Sequence, residues 1–366
     1  MNPIKSIIYK FLRKIGRKFQ NFVFRHRLGK TDRAAKFLFR IMDIFDRFEV
    51  YVNSGETGGF DHYVPQFVLK NWMISGGDYN KRVWVWSKED GSVKPEAVKS
   101  VGGEVDWDVT HAQGVPSDFV KKKLFAELLE QKTAEVIKLI QADSAINLTV
   151  LEEGTLAVFI GHQITRVPSF RKSLRRYFSV GVSRGHIQIE DFGNRDVLSK
   201  KVVENTIGLT YDQCVDEKAS VRIEEGKPQV LMLSMLIGSA IGEQIFRGNL
   251  HILQVPDNSP EEFVISDNPV VIFDFERQKY LRFVPWWEIG KKDFWIFMPI
   301  SPKKAIWFSK SKRKDGRVEK DAGFLVEGVN FAQYQNCTNM AFATNEQIIH
   351  RHLSMYSTEL RNGGNV

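Results

Sequence analysis

Cysteine is nearly absent from this chain of 366 residues: Cys214 and Cys337 stand in separate segments, with no CxxC or Cys/His spacing around either. A disulfide framework and a structural zinc site are therefore excluded. A reducing compartment is expected, and both thiols read as buried core residues. Long hydrophobic runs are absent too. A membrane-spanning helix needs about 18 to 20 consecutive apolar residues. The longest such stretch, Val230–Ile245, is broken by Ser234, Gly238, Ser239 and Glu243, so it is expected to form a buried core helix. Lys5, Lys10, Arg13, Lys14, Arg17 and Lys18 leave no charge-free stretch that would serve as a secretory leader, and the expected location is the cytoplasm, including the periphery of the inner membrane. G-x-G-x-x-G, Walker, H-E-x-x-H and G-x-S-x-G elements are read as missing, so the common nucleotide, zincin and α/β-hydrolase readings lose most of their support.

Positive charge is present but unevenly placed. The formal net charge is +8; residues 1–50 hold 13 Lys and Arg against four acidic residues, a local +9, so the other 316 residues sum to −1. Within that segment Ile4, Ile8, Phe11, Ile15, Phe19 and Phe22 recur at steps of three and four, with the basic residues between them. The pattern predicts a cationic amphipathic helix. It suits an anionic membrane surface or a nucleic-acid backbone; it is equally consistent with an apolar stripe docked on the protein's own core, or with an oligomerisation arm. A second helix over Asp32–Phe48 carries Phe37, Ile41, Ile44, Phe45 and Phe48, a packing stripe. The glycines of Gly55–Gly59 mark a boundary. The expected organisation is a basic helical extension at 1–58 and a single composite core at 59–366.

The core is aromatic-rich, with 27 Phe and 43% hydrophobic residues, enough to bury a large interior. Its opening, Asp61–Trp72 (DHYVPQFVLKNW), places Pro65 at the first turn of a short helix, with Phe67, Leu69 and Trp72 as anchors and His62 and Gln66 projecting four residues apart. Arg82–Ser87 alternates as a strand. Helices are expected at Ser117–Ala142, Glu152–Val167, Leu198–Val215 and Lys227–Arg247. Strands follow at Ile252–Val255, Phe263–Ser266, Val270–Phe273, Phe294–Pro299 and Ala305–Ser309, and a last helix lies near Gly328–Asn339. Helices segregated from strands along the chain favour an α+β fold, a helical N-terminal and middle part packed on a mostly antiparallel C-terminal sheet.

The opening element, together with Phe159–Arg171 (FIGHQITRVPSFR), Phe263–Phe273 (FVISDNPVVIF), Phe297–Pro302 (FMPISP) and Val329-Asn330 within EGVNFAQ, resembles the domain of unknown function 4238 family, in the right order over about 300 residues. The resemblance implies kinship for the core and leaves residues 1 to about 58 as an addition; the family name carries no mechanism.

Chemistry-bearing residues fall mainly on those elements. His162, Gln163 and Arg166 interrupt an otherwise apolar helix, with His162 and Arg166 on one face. Either they satisfy buried backbone or they face a cleft, where the following Arg171, Lys172, Arg175 and Arg176 would help to hold an anion. Asp267 and Asn268 end an apolar strand before Pro269; they read equally as turn-capping residues and as a cleft carboxylate with its neighbour. Glu104, Asp106 and Asp108 alternate on one face of an extended segment and read as solvated charges. His350 and His352 read as surface helix residues, and Lys310–Lys320 as a solvated hairpin about Asp315-Gly316.

Two functions are compatible with this pattern. In one, His62, Gln66, His162, Gln163, Arg166, Asp267 and Asn268 meet in a cleft of a hydrolase, nuclease-like, acting on a phosphate-containing or nucleic-acid substrate. Asp267 would serve there as base or as ligand to a divalent metal, a histidine as proton shuttle, and Arg166 as anion stabiliser. In the other, the same residues form a structural network in a non-catalytic effector, and residues 1–50 contact membrane or nucleic acid.

Overall fold

The structure, a computed structural model, describes residues 60–74, 76, 80–105, 125–127, 129–143, 147–171, 181–183, 186–188, 227–274, 276–281, 289, 294–310, 318–320 and 323–361. The chain divides into two units, one of residues 1–57, 108–120 and 171–236, the other of residues 58–107, 121–170 and 237–366. The first unit thus includes two segments from within the expected 59–366 core. The helices expected at 1–50 and at Leu198–Val215, together with Cys214, Asp106 and Asp108, lie outside the described residues.

In chain order the second unit opens with β1 (Phe60–His62), the one-turn helix α1 (Gln66–Leu69) and a 3-10 turn at Lys70–Trp72, followed by β2 (Arg82–Ser87), β3 (Val93–Ala97), β4 (Gly103–Val105), α2 (Gln131–Ala142) and α3 (Val150–Arg166). The first unit holds β5 (Gly181–Ser183), paired antiparallel with β6 (His186–Gln188), and the opening of α4 (Lys227–Phe246), whose later half belongs to the second unit. Then come β7 (Asn249–Gln254), β8 (Ile265–Ser266), β9 (Val271–Asp274), β10 (Lys279–Leu281), β11 (Phe294–Ser301), β12 (Lys304–Ser309), β13 (Val318–Lys320), α5 (Gly323–Asn336), β14 (Met340–Ala343) and α6 (Glu346–Arg361).

The fold is α+β, as the segregation of helices and strands predicts. Two main sheets carry it. One has the order β10-β9-β11-β12-β7-β13, antiparallel except where β13 runs parallel to β7; the other has the order β3-β2-β14-β8 and is antiparallel throughout. The second sheet joins strands from the start of the core to a strand near its end, an interleaving that a linear reading of strand runs does not foresee. In the six-stranded sheet a row of rings crosses three strands: Phe297 stacks on its register partner Trp307 with centroids 5.3 Å apart, and Trp307 meets its other partner His251 at 4.6 Å. Such cross-strand aromatic pairs help to pin register. The segment Val318–Lys320 is the parallel neighbour of β7, while residues 311–317, with the Asp315-Gly316 turn of the hairpin expected over Lys310–Lys320, lie outside the described residues.

Local sequence explains the helix boundaries. Thr149 and Glu152 form a capping box at the start of α3: the Glu152 amide donates to Thr149 Oγ1 at 3.3 Å and the Thr149 amide donates to Glu152 Oε2 at 2.6 Å. The far end of α2 is closed by Lys304, whose Nζ donates to the Ile140 and Gln141 carbonyls at 2.9 and 2.8 Å, a cation on the carbonyls a helix leaves unpaired.

Candidate functional site

Three polar clusters hold the residues singled out on the sequence. The first surrounds Asp267 and Asn268. β8 is an edge strand, with one side open for hydrogen bonding, and α5 covers that edge with amide side chains spaced three residues apart. Asn330 Oδ1 accepts from the Val264 amide at 2.9 Å while its Nδ2 donates to the Glu262 carbonyl at 2.8 Å. Gln333 Oε1 accepts from the Ser266 amide at 3.0 Å and its Nε2 donates to the Pro269 carbonyl at 2.8 Å. Asn268 Nδ2 donates to the Asn336 carbonyl at 3.3 Å. The helix therefore does with side chains what a further strand would do with backbone, and the edge is closed.

Asp267, fully buried, serves the same network from the other direction. Its two carboxylate oxygens accept from the backbone amides of Thr338, Asn339 and Met340 at 2.7, 2.6 and 3.2 Å, and its own amide donates to the Met340 carbonyl at 3.0 Å. The turn from α5 into β14 is held at its carbonyls by Lys88, whose Nζ donates to Cys337 O at 2.9 Å. A carboxylate on the amides and an ammonium on the carbonyls thus clamp one turn. Burial pushes Asp267 up to about 6, against the downward pull of the three amides and Lys88. Burial also raises the Tyr63 hydroxyl above its ordinary range, with further upward contributions from the Asp267 and Glu104 carboxylates.

The second cluster is the opening element. His62 Nε2 donates to the Val98 carbonyl at 3.3 Å, which leaves Nδ1 to accept from Gln66 Nε2 at 3.5 Å. Further along, the element is tied to two others. β11 carries Pro299, which lacks an amide, and a bulge between Pro299 and Ser301 leaves Ile300 unpaired in the ladder. The Ile300 carbonyl then accepts from Asn71 Nδ2 at 2.8 Å and Gln141 Nε2 at 3.4 Å. Trp72 Nε1 donates to the Phe263 carbonyl at 2.8 Å, and the Phe263 amide donates to Pro302 at 2.7 Å. The DHYVPQFVLKNW, FVISDNP and FMPISP segments are hydrogen-bonded to one another.

The third cluster lies where α3 crosses the later half of α4. A Cβ added at Gly161 would stand 2.2 Å from the Gly238 carbonyl oxygen, and one at Gly242 would stand 2.7 Å from Val158 Cα, so the two backbones touch through glycine. At this crossing His162 Nε2 lies 3.2 Å from Ser239 Oγ. One turn on, the buried Arg166 donates to Glu130 Oε1 at 2.6 Å while its guanidinium covers the Phe125 ring at 4.1 Å. Phe125 and Glu130 reach one guanidinium because the described residues at 125–130 form a π turn, in which residues five apart fall on one side. Gln163 is buried and its Oε1 accepts no hydrogen bond. Glu243, one turn beyond Ser239, is paired with Arg247.

The structure therefore brings His162, Gln163 and Arg166 together, His62 with Gln66, and Asp267 with Asn268, each group with its own partners. Arg171 is buried, and Lys172, Arg175 and Arg176 lie outside the described residues. Glu104 is exposed on β4. No group of three or more His, Cys, Asp or Glu side chains suited to a metal ion occurs among the described residues. His350 is exposed and faces Glu346, as a surface residue would, but His352 is a correction: it is buried, its Nε2 is 3.4 Å from Asn330 Nδ2, its Nδ1 has no partner, and burial, with Arg351 adding to it, pushes it down to about 4.

Several organising residues escape the sequence reading. Asn330 and Gln333 stand in the EGVNFAQ element with no role assigned to them there; with Asn336, at three-residue steps in α5, they carry the signal of a buried amide face. Gly238 and Gly242 have the G-x-x-x-G spacing of a close helix crossing, and Gly238 was read only as an interruption. Gly181–Gly185 (GVSRG) has G-x-S-x-G spacing, but Ser183 sits in β5 opposite His186 of β6, a strand-to-strand hairpin, whereas the nucleophile elbow is a strand-to-helix turn.

The profile of the family described as Protein of unknown function (DUF4238) matches residues 61–352, most of the chain, and the chain belongs to that family. No curated protein and no solved structure matches it. No described helix is long and apolar enough to cross a membrane.

Proposed function

We propose that the protein is a non-catalytic effector whose core is a scaffold and whose basic N-terminal segment binds an anionic phospholipid surface. The observation that carries this reading is the charge distribution: residues 1–50 hold a local +9 on an amphipathic period, and the remaining residues sum to −1. Six large apolar residues at steps of three and four, Ile4 to Phe22, favour a lipid interface over a phosphate backbone, because a nucleic acid would use the cations and leave an apolar stripe in water. Each Lys or Arg at such a surface contributes about 1 kcal/mol. Support for a scaffold rather than a cleft comes from Asp267, both of whose oxygens are taken by backbone amides, and from Arg166, paired with Glu130.

The test is co-sedimentation of the full chain with phosphatidylcholine vesicles, with and without phosphatidylserine, beside duplex DNA in the same buffer. Binding to the anionic vesicles, lost in a K10E/R13E/K14E/R17E variant and weakened by salt, is the expected result. Binding to DNA alone, or vesicle binding indifferent to the charge reversal, contradicts it.

A second reading, a hydrolase acting on a phosphate-containing substrate, is favoured by one observation: the 3.2 Å contact between His162 Nε2 and Ser239 Oγ, with the His162 ring and the Arg166 guanidinium both on Phe125. Hydrolysis of bis(p-nitrophenyl) phosphate with added magnesium or manganese, abolished by His162→Ala while the fold persists, would establish it; equal turnover by the two proteins would dismiss it.

A further inference from the structure

Beside the point where the family segments are tied together, a groove of about 570 Å³ opens on the second unit, lined by Asn71, Met73, Ile74, Glu262, Ser301, Pro302, Lys303, Thr344 and Asn345. Its volume lies in the range of small-ligand sites, about 300 to 1,000 Å³. Each lining side chain is half-buried, so the floor is formed yet reachable.

The charges of this groove are spent on each other. Lys303 Nζ donates to the Ser259 and Glu261 carbonyls at 2.8 and 2.9 Å and lies 3.7 Å from Glu262 Oε1, while Glu262 Oε2 accepts from Thr344 Oγ1 at 2.5 Å. Among the described lining residues a polyanion or a metal ion finds no open charge to meet. Among the described lining residues none is aromatic, so these offer a stacked base no platform. What remains open is amide chemistry. Asn71 uses its Nδ2 on Ile300 and leaves Oδ1 as an acceptor; Asn345 accepts from the Ile348 amide at 3.0 Å, gives one Nδ2 proton to Thr344 Oγ1 at 3.2 Å, and has a second to donate. An acceptor and a donor, with Met73, Ile74 and Pro302 as the apolar wall, complement the N–H, the C=O and the side chain of a peptide unit.

We propose that this groove is a binding site for a short, uncharged peptide segment, recognised through its main-chain amides. The site is separate from the lipid-binding segment proposed above, and either assignment can fail alone.

The experiment is a methyl NMR titration of the full chain labelled at the Met and Ile methyl groups, with an N-acetylated, C-amidated tripeptide of uncharged residues as probe and inorganic phosphate and AMP as controls. The Met73 and Ile74 methyl signals are expected to shift saturably with the peptide and not with either anion. Two full-chain variants, Ser301→Trp, which fills the groove, and Asn345→Asp, which removes the open donor yet keeps an oxygen for the Ile348 amide, are each expected to weaken binding by about tenfold or more; two variants guard against one failing to fold. Vesicle binding is the control that separates this claim from the previous one and should be unchanged in both. Shifts of Met73 and Ile74 with phosphate or AMP, no saturable shift with the peptide, or unaltered peptide affinity in a folded variant would overturn the proposal.

Discussion

The Asp267 network and the α3–α4 crossing are both buried polar regions built on family segments, yet they are satisfied in different ways. Around Asp267 and Gln333 the partners are mostly backbone amides and carbonyls fixed by β8, α5 and the turn into β14. Around His162 and Arg166 the partners include the side chains of Ser239, Glu130 and Phe125, presented by a close glycine contact and a π turn. Side chains can exchange a partner for a ligand at the cost of a rotamer change, whereas backbone partners cannot leave without moving the strand. The difference shows why polar residues in shared segments need not be reactive ones, and it marks the region, among the described residues, that the hydrolase reading proposed above would use.

The comparison can be broken most severely at the crossing itself. Gly161→Val places a side chain against backbone atoms of Gly238 and Gly242 that have nowhere to retreat, and calorimetry should show a loss of roughly 3 kcal/mol or more. Gln333→Ala leaves the Ser266 amide and the Pro269 carbonyl without partners; at about 1 to 3 kcal/mol for each buried group, denaturant titration should register roughly 2 to 6 kcal/mol. Glu130→Gln removes the charge facing Arg166, and because Glu130 is partly exposed the expected loss is about 2 kcal/mol, below that of a fully buried pair.

Acid titration sharpens the contrast. Asp267 binds its proton more tightly folded, at about 6 against 3.8, so its contribution falls as pH rises from about 4 to 6. His352 binds its proton less tightly folded, at about 4 against 6.5, so its contribution grows as pH rises through nearly the same window. The two oppose each other in the native chain. In His352→Leu stability should decline between pH 4 and 6, and a slope of the opposite sign would refute the pairing. The smallest effect is expected at the helix start: Thr149→Ala loses the capping box and about 1 kcal/mol, read as a small drop in the melting temperature.

Much of this architecture was legible. Arg82–Ser87 is the strand its alternation predicts, the Lys227–Phe246 helix follows from its apolar run, and the helix expected at Glu152–Val167 is α3, whose start two residues earlier is set by the Thr149 capping box. Legibility failed where the meaning of a residue depends on what folds against it. Asp267 was balanced between a turn cap and a cleft carboxylate until Thr338–Met340 came to face it from 71 to 73 residues away. On sequence His352 reads as a surface residue beside His350, with no other ligand pattern near it, yet it is buried and meets Tyr334, with ring centroids 6.0 Å apart. The pairing of β13 with β7 and of β14 with β2 is likewise non-local, set by sheet topology rather than by any segment's own pattern.

The most direct test of the claim that the family's polar residues serve the fold is the unfolding free energy of Asp267→Asn at neutral pH. Asparagine keeps the shape but turns one acceptor into a donor facing backbone amides, and the account predicts a loss of about 3 kcal/mol. Residues held for reaction are commonly retained at a cost in stability, and their neutral isosteres melt at the same temperature or higher. An Asp267→Asn protein as stable as the parent, or more stable, would contradict the scaffold account and return Asp267 to a chemical role.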